Sequence, residues 1–172
     1  MATSFGERMI RAARLDRAVY EEVEKDRTAM GQAAAVVVLV AVATGIGLGA
    51  GMRGLAIGLI AGLVAWALWA ALIYVIGARL LPESNTQADW GELARTLAFA
   101  SSPGALRILG IVPVVGEIVF VVTGIWMLVA TVIAVRQALD YQSLPRAVAV
   151  CLIGWVAQMF VFFLLTRNVG PL

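Results

Sequence analysis

The chain has 172 residues, 62% of them apolar and only 14% charged, with a net charge of +2 and a mean hydropathy of +0.93. Soluble domains run nearer about 45–50% apolar and about 25% charged, so this composition excludes an ordinary soluble core and indicates an integral membrane protein. Histidine is absent and Cys151 is the single cysteine, which removes imidazole bases, His-ligated metals, thiolate zinc sites and any intrachain disulfide.

Half of the charged residues precede Gly31, six basic and six acidic. Ser4 and Glu7 have the spacing of a capping box that opens a helix. Glu7 with Arg11, and Glu21 with Lys25, are i,i+4 pairs in the favourable orientation. Phe5, Met9, Ala12, Val19 and Val23 follow helical spacing, interrupted by Asp16, while Arg8, Arg11, Arg14 and Arg17 mark the opposite face. Residues 1–30 therefore read as a cytoplasmic amphipathic helix that lies on the membrane or packs on the bundle. With its charges balanced, packing is the favoured reading. The polar residues before the first apolar run speak against a cleaved signal peptide.

Residues 31–172 read as the membrane domain, since a helix needs about 20 apolar residues to cross a hydrocarbon core of about 30 Å. Spans are expected at about 31–52, 54–78, 92–115, 117–136 and 146–166. Gly45, Gly47, Gly49 and Gly51 end the first span, and Gly54, Gly58 and Gly62 open the second, giving overlapping G-x-x-x-G pairs. Small residues let helix backbones approach, so the two sets are expected to face each other across a tight hairpin, with a homodimer interface as the less favoured alternative. Trp66 and Trp69 read as filling the bundle or facing lipid tails, Trp90 and Tyr141 as interface-belt residues on the inner side. Thr44, Thr123, Thr131 and Gln158 read as polar groups bonded to helix carbonyls.

The third span is interrupted. Pro103 and Pro113 each remove a backbone donor, and Ser102-Pro103 reads as an N-cap followed by a first helical residue. Two short helices, Trp90–Ser101 and Pro103–Ile111, are expected, crossing as a broken span or dipping back, and surrounded by the other spans because broken backbone at that depth needs polar partners. Five crossings with the N-terminus inside place ten basic residues on the inner side against two outside. Four crossings give ten against three, so five are favoured. The fold class is thus an all-α polytopic bundle of about five spans behind an amphipathic head.

Ionisable groups within a membrane are functional suspects. Arg107 is the clear one, and Glu117 near the boundary is its expected ion-pair partner across the Pro113 turn; a site for an anion or lipid head group is the sharper alternative. Arg136 and Asp140 read as a solvated i,i+4 pair. Neither cofactor nor metal is expected, and no nucleic-acid footprint is present.

The run LAFASSPGALRILGIVPVVG followed by IWMLVATVIAVRQALDYQSLPRAVAV resembles the Yip family of small multispan membrane proteins. The features that carry the likeness are Phe99-Ala100, Ser102-Pro103, Pro113, Gly116, Trp126, Val135-Arg136-Gln137-Ala138 and Arg146-Ala147, within residues 30–166. The resemblance implies a cytoplasmic N-terminus, about five spans and no catalytic constellation. Eukaryotic members bind prenylated small GTPases; this chain lacks their long N-terminal region, which speaks against GTPase binding and for the compact bacterial type of the inner membrane. The expected function is a non-enzymatic scaffold or adaptor whose partners are membrane lipids and other membrane proteins or a second copy. A small oligomeric transporter or channel, with its site at the broken span, is the alternative. A lipid-active enzyme using Asp89, Glu92 and Asp140 ranks third, because these carboxylates form no recognisable metal motif.

Overall fold

The computed structural model describes residues 3–168, and the described residues form helices and short connections. The head is two helices, α1 (Phe5–Ala13) and α2 (Arg17–Lys25). Asp16, the apparent interruption of the apolar stripe, is the N-cap of α2 and accepts the Ala18 N–H at 2.9 Å. Leu15, with φ +63°, makes the turn between them. Ser4 does cap α1 through the Glu7 N–H, at 3.3 Å.

Four helices are long and apolar enough to cross a membrane. They are α3 (Met30–Gly47), α4 (Gly51–Ile73, continued by a π-helical turn over Tyr74–Leu80), α6 (Val115–Ala138) and α7 (Leu144–Asn168). Their outward faces are apolar and exposed (Ile57, Ile60, Ile118, Val122, Trp155 and Phe160 among them), as expected of side chains whose solvent is lipid.

Between α4 and α6 lies the interrupted segment, α5 (Trp90–Ala100) followed by a 3-10 helix over Ser102–Ile111. Asp89 and Glu92 form a reciprocal capping box that starts α5. A 3-10 helix rises about 2.0 Å per residue against about 1.5 Å for an α-helix, so these two pieces together reach roughly 36 Å. They run parallel to α3 along its length. A methyl group placed on Gly91 would lie 3.6 Å from Met30, on Gly104 2.7 Å from Val40, and on Gly110 3.1 Å from the Gly47 Cα.

The expectation that this segment is enclosed throughout needs correction. Residues Leu93–Ala100 are buried, packed by the head and by α3, α4 and α6. The 3-10 half packs mainly on α3 and α6 and leaves Leu106, Ile108, Leu109 and Ile111 exposed. Its backbone stays satisfied by its own i→i+3 bonds, so lipid on one face is tolerable. The Ser102-Pro103 start is also shifted by one residue: Ser101 occupies the cap position and donates its hydroxyl back to Ala98 O at 2.6 Å. Ser102 is the first 3-10 residue, and its buried hydroxyl has no partner among the described residues. Ser102→Ala should therefore cost nothing in thermal stability or raise it slightly, because it deletes an unsatisfied buried polar group. At the far end Val112, preceding Pro113, is extended with ψ 118°, the conformation that a following proline demands.

The glycine sets divide by role. Gly49 and Gly51, both in the left-handed region, form the turn between α3 and α4. Gly45 lies against Leu55 and Gly62 against Ala41, so these two do join the hairpin helices. Gly47 instead faces the 3-10 segment, where an added methyl would stand 2.0 Å from Arg107 O. Gly54 meets only Ala50 of the turn, and Gly58 meets nothing within 4 Å.

Candidate functional site: the broken helix and the head that caps it

A 3-10 helix repeats every three residues, so Gly104, Arg107 and Gly110 share one ridge. The two glycines let that ridge sink between α3 and α6, and Arg107 extends from it along α6. Its Nε donates to Thr123 Oγ1 at 3.2 Å, and its guanidinium lies 5.4 Å from the Phe120 ring centroid. Thr123 in turn donates to Val119 O at 2.7 Å. The expected Arg107–Glu117 ion pair is not formed. Val114, with φ +70°, turns the chain so that Glu117 opens α6 on an exposed position, while Arg107 points a turn and a half further down the helix. Arg107 is thus a half-buried cation with a hydroxyl and an aromatic face for partners, and no carboxylate among the described residues.

The second polar centre is the underside of the head, most of which no local pattern marks. Arg8, read above as part of the basic face opposite the apolar stripe, is buried. It donates to Glu22 at 2.9 Å, to Asp26 at 2.8 Å and to Gln32 at 2.9 Å, tying α1 to α2 and to the first turn of α3. Arg11 turns to Asp16 (2.7 Å) and Glu22 (2.9 Å), not to Glu7. Of the two helical pairs expected, Glu21–Lys25 forms, at 2.6 Å.

The bundle caps the head's helix ends. Trp126 Nε1 donates to Ala13 O at 2.7 Å, and Tyr20 to Ala12 O at 3.0 Å, satisfying carbonyls at the end of α1. Arg95, buried in α5, donates to Val23 O at 2.8 Å and to Glu24 O, the last carbonyls of α2. A cation at a helix C-terminus also meets the negative end of the dipole. Phe5 packs edge-on to Phe99 at 6.5 Å. Val19, Tyr20 and Val23 share one apolar core with Val36, Phe99 and Ala130. The head is therefore packed on the bundle, the favoured of its two readings.

The same geometry places several other residues. Trp66 fills the bundle and donates to Ala94 O at 2.9 Å; Gln158 donates to Ala65 O at 3.2 Å. Tyr141 is no belt residue: it is buried, with its hydroxyl 2.8 Å from Gly77 O and 2.6 Å from Leu81 O, carbonyls at the π-helical end of α4. Arg136 does not pair with Asp140 but donates to Tyr141 O (3.1 Å) and Gln142 O (2.9 Å), because Asp140 with φ +53° has already left the helix. Among the described residues no three His, Cys, Asp or Glu side chains gather as a metal site.

Glu24 gives the head a pH response. Its Oε2 is buried without a partner among the described residues, and burial, with Asp140 and Glu92 nearby, pushes its carboxyl up to about 7. A carboxyl whose pKa rises on folding gains a proton in the folded state, so its contribution is full below the unfolded value of 4.5 and is lost as pH rises through 7. Asp16, held down by Arg11, and Asp26, held down by Thr28 and Arg8, act oppositely: their contribution is present above 3.8 and lost on further acidification. Thermal stability should peak at about pH 5. Glu24→Gln should raise the melting temperature several-fold more at pH 8 than at pH 5; equal shifts at both would show that proton uptake at Glu24 is not the cause.

These elements recur as a family pattern. The Yip1 domain model matches residues 16–165, from the cap of α2 to the last turns of α7. The chain belongs to the Yip1 family. The resemblance read from Phe99 to Ala147 is thereby upheld, and with four long apolar helices this Yip1 protein is an integral, multi-pass membrane protein. Its α1 lies ahead of the matched region, although α1 and α2 share one charge network. No curated protein and no solved structure matches the chain significantly.

Proposed function

We propose that this Yip1 protein is a non-enzymatic scaffold or adaptor, which holds other membrane proteins, or a second copy, together with lipid. The observation that carries the reading is where its charges go. Arg8, Arg11 and Arg95 are engaged inside the chain, Arg11 joining the two head helices and Arg8 and Arg95 fastening them to the bundle, and this arrangement supports a rigid docking platform more than a reaction centre. The long lipid-facing sides of α4, α6 and α7 supply surface for lateral partners.

In this reading α5 and the 3-10 helix make a fifth crossing, since their combined reach of roughly 36 Å exceeds the hydrocarbon thickness of about 30 Å. The basic residues then favour a cytoplasmic head, in a bacterial inner membrane. Small GTPases are not among the proposed partners. Mild detergent extraction followed by cross-linking should recover stoichiometric protein partners or a homo-oligomer. A second reading, a small oligomeric transporter, is favoured by Arg107, a cation without a carboxylate in a broken span. Reproducible, substrate-selective flux in proteoliposomes, abolished by Arg107→Gln, would replace the scaffold with the transporter.

A further inference from the structure

A cavity of about 230 Å³ opens at the head end of the bundle, between the start of α2 and the α6–α7 connection. Arg17, Ile133, Arg136, Gln137, Asp140, Tyr141 and Leu144 line it. It sits where the apolar stretch of α6 closes at Arg136 and that of α7 opens at Leu144, at the boundary between hydrocarbon and polar surroundings. Its charges are arranged in an uncommon way. Two guanidiniums and one carboxylate share the walls, yet among the described residues neither Arg17 nor Arg136 forms an ion pair with Asp140. Arg136 is fixed by the carbonyls of Tyr141 and Gln142. Asp140 is fixed by a left-handed backbone, with Glu24, Glu92 and the solvent-exposed Lys25, already paired to Glu21, on its side. Opposite charges are thus held apart around an open space, a positive pole and a negative pole.

A purely anionic ligand would satisfy the arginines but be repelled by Asp140. A group bearing a phosphate and, a few ångströms away, a primary ammonium satisfies both poles. The apolar part of the lining is Ile133, packed on the core beneath the head, and Leu144, 48% exposed; Val129, one helical turn before Ile133 on α6, is exposed toward lipid, so an attached acyl chain has an apolar path past Leu144. We infer that this cavity binds the phosphoethanolamine head group of a membrane phospholipid, the phosphate on Arg17 and Arg136 and the ammonium on Asp140. The inference rests on the membrane embedding of the chain and is independent of the scaffold reading.

The test uses the full chain, delipidated in detergent and titrated with phosphatidylethanolamine, phosphatidylglycerol or phosphatidylcholine, with occupancy read by native mass spectrometry. Phosphatidylethanolamine should bind at least about tenfold more tightly than the other two, a difference of about 1.4 kcal/mol. Asp140→Asn keeps a residue that tolerates the left-handed backbone and should level that preference to within about threefold. Arg17→Gln, which disturbs no hydrogen bond or ion pair of the described residues, should weaken all three lipids alike. Equal binding of phosphatidylglycerol by the unmodified protein, or an unchanged preference in Asp140→Asn, would overturn the assignment. So would displacement of the bound lipid by millimolar inorganic phosphate, which would mark the cavity as a simple anion site. A melting temperature within a few degrees of the unmodified protein qualifies each variant for the comparison.

Discussion

Gly47→Ala should destabilise the protein by about 3 kcal/mol or more, whereas Gly58→Ala, in the neighbouring helix, should be neutral or stabilise by up to about 1 kcal/mol. Both sites belong to small-residue motifs of the same type, so the sequence offers no reason to treat them differently. The structure does. A methyl group on Gly47 would stand 2.0 Å from Arg107 O and 3.1 Å from its carbonyl carbon, and these are backbone atoms that no rotamer change can move. Relief requires the whole 3-10 segment to lift from α3, opening contacts over Gly104–Gly110 as well. At Gly58 the space is open, and alanine improves helix propensity without collision. Thermal melting in mild detergent measures the difference directly. Hydrogen exchange should show extra opening confined to residues 102–111 in Gly47→Ala. Equal stability of the two variants would mean that the 3-10 segment does not pack on α3 as described.

Arg8→Ala should release the head. Its side chain is 7% exposed, and its three donors serve Glu22, Asp26 and Gln32 at 2.8–2.9 Å. Removing it leaves Asp26 without its ion-pair partner and Glu22 with Arg11 alone, each acid 28% exposed and partly desolvated. Breaking a buried pair by deleting one partner costs about 3–5 kcal/mol, and partial exposure of the acids places this case near about 3. Arg8→Lys should recover little, since a single ammonium cannot reach three acceptors in three directions. Proteolysis at Arg14 and Arg17 reads the release: both should be cut faster, while α4, α6 and α7 stay protected. Unchanged proteolysis would show that apolar packing of Val19, Tyr20 and Val23 suffices to hold the head.

How much of this was legible beforehand depends on the type of signal. Long apolar runs carry their meaning locally, so the helices α3, α4, α6 and α7 lie within a few residues of their expected limits. Pro103 and Pro113 likewise announced two short helices, because a missing N–H is a property of the residue itself. Asp16 was visible as an interruption but not as a cap, since a lone acid in an apolar stripe looks the same in either case. Side-chain partners were the weak point. Arg107 with Glu117, Arg136 with Asp140, and Glu7 with Arg11 all paired by spacing, and none of the three pairs forms. Arg95 and Trp126 carried no local mark of their roles, for their acceptors lie 71 or more residues away.

By itself the sequence determined the solvent of this protein, its helical class, the place where its third apolar segment breaks and its kinship with the Yip1 family. Each follows from composition or from single residues whose physics acts on their own backbone. Tertiary structure alone decided which charges are buried, which glycine faces a backbone and which faces open space, and how the head is fastened. The 3-10 path after Ser102 shows why. A three-residue repeat aligns Gly104, Arg107 and Gly110 on one ridge, whereas the α-helical repeat used to read the sequence would spread them around the axis. Side-chain direction follows the backbone that forms, and that backbone is chosen by the helices against which it packs.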